Sequence, residues 1–206
     1  MHRLAHLRAR LAEALARRRA RLAEALARRR VPLGFATGAL VLWLAEPSGA
    51  TLMAGTPVAL VGEALRLWAA GHLNKSNEVT TSGPYRWFAH PLYVGSSVMG
   101  LGLAVAAAGV SVAVLIAVYM GATIAAAIKS EEAFLRSRFG EGYDRYRRAG
   151  TVDRERRFSV GLAVRNHEHR AVIGLLLVLL LLALKATYNG TFWRTAETAA
   201  GRLAQW

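Results

Sequence analysis

Cysteine is absent from the 206 residues. That removes disulfides, thiolate metal sites and cysteine nucleophiles, and leaves the redox compartment open. Neither a Gly-x-Ser-x-Gly elbow nor a His-Glu-x-x-His pair occurs, so the serine-hydrolase and zinc-peptidase arrangements are not available. Gly100-Leu101-Gly102 lacks the third glycine of a dinucleotide fingerprint and sits inside an apolar run, so no Rossmann site is expected. Acidic residues are few, 13 against 27 lysines and arginines, for a net charge of +14. Ten of the arginines fall between Met1 and Arg30, opposed only by Glu13 and Glu24, and no aromatic residue interrupts that stretch. The charge is therefore local, and a nucleic-acid arm, which would pair cations with stacking rings, is the weaker reading of it.

The basic leader is a repeat. Arg-Leu-Ala-Glu-Ala-Leu-Ala-Arg-Arg-Arg occupies 10–19 and recurs at 21–30, a period of eleven that is close to three helical turns. Leu4, Leu7, Leu11, Leu15, Leu22 and Leu26 then share one stripe. An arginine-rich amphipathic helix in front of an apolar segment suits anionic lipid, with the leucines in the interface; a plain charged tail is the competing reading.

More than half of the chain, 54%, is hydrophobic, and the apolar runs indicate an all-α, polytopic membrane protein with about five spans. The first, Val31–Ala45, contains Gly34-x-x-x-Gly38, a spacing that lets helices approach closely; a cleaved signal peptide ending near Ser48-Gly49-Ala50 competes with it. Glu46-Pro47-Ser48-Gly49 reads as a turn. The second span, Thr51–Ala70, carries Glu63 and Arg66 on one face, where charges need a partner or a polar cavity. A hairpin of two spans follows, Leu92–Ala108 and Val110–Ile128, joined at Gly109. Lys129 starts a helical extension that ends at Phe139-Gly140, and Tyr143 and Tyr146 belong to a second short helix. Ala171–Leu184 is the fifth span, with Lys185 placed to reach the headgroups. The division is thus a leader at 1–30, a membrane domain at 31–187 and a tail at 188–206.

Thr81 to Gly95 is the densest stretch of polar chemistry. Gly83-Pro84 marks a turn, and Pro91 pushes His90 out of the helical region while starting a helix itself. His90 is expected at a helix mouth, where the dipole favours an anionic ligand and opposes protonation of the imidazole. Tyr93 follows on the same side, and Gly95 leaves room for a close approach. An interfacial aromatic belt accounts for Tyr85, Trp87 and Tyr93 but not for His90 with Arg86.

Lysine and arginine fix the orientation: the leader, the 71–89 connection and 129–170 are basic, while the turns at 46–50 and Gly109 are not. The N-terminus and all three basic regions are expected in the cytoplasm of a bacterial inner membrane. The hairpin then returns Glu131 and Glu132 to the face that holds His90. Arg86, His90, Tyr93, Glu131 and Glu132, with Arg138 and Tyr143 near them, form a set that suits a nucleoside-bearing cofactor; a solvated helix face is the plain alternative for the glutamates.

Gly83-Pro84-Tyr85-Arg86, His90-Pro91-Leu92-Tyr93-Val94-Gly95, an apolar hairpin and Glu131-Glu132-x-x-Leu135-x-x-x-Phe139-Gly140-x-x-Tyr143-x-x-Tyr146 together resemble the isoprenylcysteine carboxyl methyltransferases and related bacterial phospholipid methyltransferases. The resemblance covers 81–146 and implies an S-adenosyl-L-methionine-dependent methyltransferase acting at the cytosolic face on a lipid-like or prenylated acceptor, carboxyl or amine. Gly83, Pro84, Tyr85, His90, Pro91, Tyr93, Gly95, Glu131 and Glu132 would bind the cofactor, with Arg86 and Glu132 as catalytic residues. Membrane lipids and a lipophilic acceptor are the expected partners, with no metal and no nucleic acid. Ala89 stands where the family carries a basic residue, which takes from a carboxylate acceptor its obvious partner unless Arg86 or Arg66 replaces it. Steroid-reductase-like membrane enzymes share the His-Pro stretch with a nicotinamide cofactor, and a non-enzymatic scaffold is the third possibility.

Overall fold

The computed structural model describes residues 32–75, 78–141 and 157–193, with Arg18 and Arg29. The rest of the leader repeat, Tyr143, Tyr146 and residues 194–206 lie outside the described residues. Every regular element described is helical: α1 Pro32–Leu44, α2 Gly49–His72, a 3-10 turn Gly83–Arg86, α3 Pro91–Ala107, α4 Val110–Phe139, α5 Val160–Arg165 and α6 Glu168–Tyr188. Helices stand at all five expected places, but only α4 and α6 are both long and apolar enough to cross a bilayer. α1 and α3 are apolar and shorter, and α2 has 24 residues but is interrupted by Glu63 and Arg66. Within the most apolar windows of α4 and α6 only 17% is buried. Their leucine and valine faces point outward, as a lipid-facing surface requires.

The closest packing is between α2 and α3. Gly55, Ala59 and Gly62 form one stripe of α2, and Gly95, Gly102 and Ala106 form the facing stripe of α3. A Cβ at Gly55 would land on the backbone of Gly102 and Ala106, one at Gly62 on Met99, and one at Gly102 on Ala59. The helices run antiparallel, since rising numbers on α2 meet falling numbers on α3. Small residues on both sides let the backbones touch, which is how helices gain dispersion contacts where lipid supplies no hydrophobic drive.

The helix ends are held by side chains far away in sequence. Asn166 Nδ2 donates to the carbonyls of Ala70 and Leu73, each at 2.9 Å, and the Ser159 amide donates to Gly71 O at 3.0 Å. These close the last turn of α2, whose carbonyls have no partner within the helix. At the opposite end, Ser48 and Thr51 form a capping box, and the Thr51 hydroxyl also donates to Ala106 O at 3.2 Å. Lys185 does not reach for headgroups: its Nζ donates to the carbonyls of Leu42 and Trp43, both at 2.7 Å. A cation at the negative end of α1 meets both the dipole and the open carbonyls. Val41, Leu52, Val112 and Leu182 pack beneath it, with Phe192 against them. The α3–α4 turn uses positive φ at Ala108 and Gly109, 54° and 94°, and Gly140, at φ 50°, ends α4 where expected.

The seam generates a direct test. Gly62→Ala costs about 1–3 kcal/mol and lowers the thermal midpoint in detergent. Gly121→Ala, where a Cβ meets nothing within 4 Å, leaves the midpoint unchanged or raises it. Equal midpoints would contradict the packing.

Candidate functional site

Pro91 at the first helical position leaves His90 as the N-cap residue of α3, with extended φ of −136° and no side-chain cap of its own. The imidazole is therefore available to other groups, and α4 supplies them. From Pro91 to Ala107 and back from Val110 to Glu131, each leg rises ~1.5 Å per residue, so the hairpin returns near its start. His90 Nδ1 stands 3.6 Å from Glu131 Oε2 and Nε2 stands 3.4 Å from Glu132 Oε1. Tyr93 stacks obliquely on His90, ring centroids 5.8 Å apart, and hydrogen-bonds Glu131. Arg136 reaches the other oxygen of Glu132 at 3.8 Å. His90, Tyr93, Glu131 and Glu132 are thus brought together as the sequence implied.

Protonation departs from the expectation that the helix mouth would keep His90 neutral. Its pKa is raised above the ordinary 6.5, first by the hydrogen bond to Glu131, against an opposing effect of burial. For Glu131, burial pushes the pKa up, but the hydrogen bond and charge of His90, the Tyr93 hydroxyl and Lys75 hold it below 4.5. The site therefore keeps a carboxylate at its centre.

The other residues assigned from sequence have different settings. Pro84, Tyr85 and Pro91 are buried. Gly83 adopts φ 60° and lies against the ring of His72, which a Cβ would strike at 2.6 Å; His72 Nδ1 in turn lies 2.9 Å from Trp68 O. The space at Gly95 is taken by α2, with Gly62 O and the Arg66 side chain each 2.7 Å from where a Cβ would be. Arg86 and Arg138 are exposed.

Arg66 is the arginine that enters the interior. It pairs with Glu168 Oε1 at 2.7 Å and Glu63 Oε2 at 3.4 Å, and donates to Ser96 Oγ. The two glutamates are buried, which a carboxylate tolerates only when paired. Glu168 and Ser96 escaped the sequence reading. The available signal was an unexplained acid, Glu168, just ahead of the fifth apolar run, which then needs a cation within the membrane boundary. Arg66, Tyr93 and Ser96 form the polar end of a cavity of about 850 Å³ whose remaining wall is mainly apolar and comes from α1, α3, α4 and α6. Tyr93 belongs to both places, so the cavity opens beside the His90 cluster. Among the described residues no three His, Asp or Glu side chains are grouped to hold a metal ion.

The His90 pair has a defined pH dependence. A raised histidine pKa stabilises fully below 6.5 and loses its effect as pH rises through the raised value. A lowered glutamate pKa stabilises above 4.5 and loses its effect as pH falls through the lowered value. The pair is at full strength between those limits. Glu131→Gln removes the largest raising cause, so the His90 NMR titration midpoint moves to lower pH; an unmoved midpoint would contradict the geometry.

Residues 52–142 match the phospholipid methyltransferase family. The nickel-cobalt-cadmium resistance protein NccN of Alcaligenes xylosoxydans xylosoxydans is 34% identical over 108 residues, 52% of this chain and 49% of that protein. The cobalt-zinc-cadmium resistance protein CzcN of Cupriavidus metallidurans is 37% identical over 91 residues, 43% of this chain and 41% of that one. The chain spans less than half the length of each of these relatives, and no solved structure matches it. The matched segment runs through α2, α3 and α4 and contains the whole His90–Glu131–Glu132 cluster; over these residues the chain is similar to the phospholipid methyltransferases.

Proposed function

We propose that the protein is an integral membrane methyltransferase that takes its methyl group from S-adenosyl-L-methionine and passes it to a lipid-like acceptor at the cytosolic face of a bacterial inner membrane. The observation that carries this is the adjacency of two unlike environments through Tyr93: a carboxylate-rich polar cluster on one side and an apolar cavity of about 850 Å³ on the other. A polar donor and an apolar acceptor need such a boundary.

The residues fit the cofactor. Glu131 is kept ionised by His90 and Tyr93, and an ionised carboxylate suits ribose hydroxyls, an amino group and the positive charge of a sulfonium. The bound cofactor supplies a methyl carbon already activated for displacement. What remains for the chain is alignment and exclusion of water. His90 braces both glutamates, the 83–85 turn packed on His72 fixes the approach to His90, and the α2–α3 seam holds Arg66 and Ser96 at the cavity's polar end. In this role Arg66, rather than the exposed Arg86, stands in for the basic residue missing at Ala89. The leader at 1–30 would lie on anionic lipid beside this face.

Calorimetry on the detergent-purified protein tests the reading. S-adenosyl-L-methionine and its demethylated product bind, NADPH does not, and His90→Ala loses the binding. Binding of NADPH alone would move the protein to the reductase class, and silence from all three would sink the enzyme reading.

A further inference from the structure

The Gly34-x-x-x-Gly38 spacing predicts a close helix contact, but among the described residues no backbone approaches either glycine. A Cβ at Gly38 would meet nothing within 4 Å, and one at Gly34 would meet only the end of the Tyr119 side chain. Both glycines line the large cavity instead, and so does Gly174 of α6, where a Cβ again meets nothing. Glycine inside a helix is less favourable than alanine. Gly34 makes room for Tyr119 of α4, but Gly38 and Gly174 meet no neighbouring helix, in contrast to Gly55, Gly62 and Gly102 on the seam. What Gly38 and Gly174 contribute is volume.

The two kinds of wall have different origins. Arg66, Tyr93 and Ser96, at the polar end, lie within residues 52–142, as do the contributions of α3 and α4. The contributions of α1 and α6 lie outside that segment. We infer that α1 and α6 form the specificity wall of the protein: Gly38 and Gly174 keep open a slot for one apolar chain of the acceptor, whose polar head sits at Arg66 and Ser96. The inference rests on the acceptor being lipid-like. The head end argues for this occupant, because a cavity continuous with a buried, hydrogen-bonding terminus beside Tyr93 suits a molecule apolar along its length and polar at one tip. Chain choice then depends on α1 and α6, and the chemistry depends on α2 to α4. A wider side chain at Gly38 or Gly174 shortens or narrows the slot without touching the His90 cluster.

The probe is hexadecanol carrying a diazirine on its chain, incorporated with the full-length protein into nanodiscs and photoactivated, with adducts located by peptide mass spectrometry. Met99 and Leu103 face the cavity, whereas Leu101 on the same helix is 62% exposed on the outer surface and reports ordinary lipid contact. The native protein is labelled at all three. Gly38→Leu and Gly174→Leu lose the Met99 and Leu103 adducts and keep the Leu101 adduct; Gly121→Leu, on the outer face of α4, keeps all three. The added leucine favours the helix, and the Leu101 adduct together with an unchanged thermal midpoint shows that each variant is folded. Retention of the Met99 and Leu103 adducts in both cavity variants would overturn the inference, and so would their absence from the native protein. Methyl transfer is not read in this experiment, so failure of the methyltransferase reading appears in cofactor binding and failure of the slot appears in the adducts.

Discussion

The backbone contact between α2 and α3 is the constraint on which the other features depend. It places Arg66 beside Ser96 and Tyr93, because Gly62 and Gly95 leave no side chain between the helices. It also sets the direction of α3, and through it the position of His90 at the mouth. Such contact gives a rigid platform at little cost in side-chain entropy, since small residues have few rotamers to lose. The functional groups are thus mounted on helix ends and helix faces rather than on long loops. The one loop that matters, at 83–90, is itself packed on His72.

Two ionic clusters flank Tyr93, and they differ in kind. Glu63, Arg66 and Glu168 tie α2 to α6 deep in the protein, with two carboxylates on a single guanidinium and Ser96 as its remaining partner. Breaking one member of such a buried group costs about 3–5 kcal/mol, so this cluster fixes the relative position of two helices as well as the polar end of the cavity. The His90 cluster is less buried and joins α3 to α4 only at their open ends. It can rearrange around a ligand without disturbing the seam. A firm platform with a softer mouth would suit the proposed site, which takes two unlike molecules.

Most of the mouth was legible in the sequence, for local reasons. Pro91 dictates that a helix starts after His90, and the nearly matched lengths of the two hairpin arms dictate that Glu131 returns to it. Gly140 ends α4 as a glycine with positive φ should. Contacts made across long separations were not legible. Glu168 pairs with an arginine 102 positions earlier, and Lys185 caps a helix more than 140 positions earlier; no local pattern encodes either. Glycines misled in both directions: Gly95 makes room for α2, Gly34 makes room for Tyr119, and Gly38 makes room for a cavity. A glycine announces that something comes close or that space is kept, but not which. Hydropathy identified the helices and overstated their reach, since only α4 and α6 have both the length and the apolarity of a span.

The central claim is that a polar methyl donor and a membrane-borne acceptor meet at the boundary between the His90 cluster and the cavity. Membranes containing the protein, supplied with S-adenosyl-L-methionine labelled in its methyl group, test it most directly. The account predicts label in the chloroform-soluble fraction, absent from membranes carrying His90→Ala. Label confined to the aqueous phase, or equal incorporation with and without His90, would contradict it.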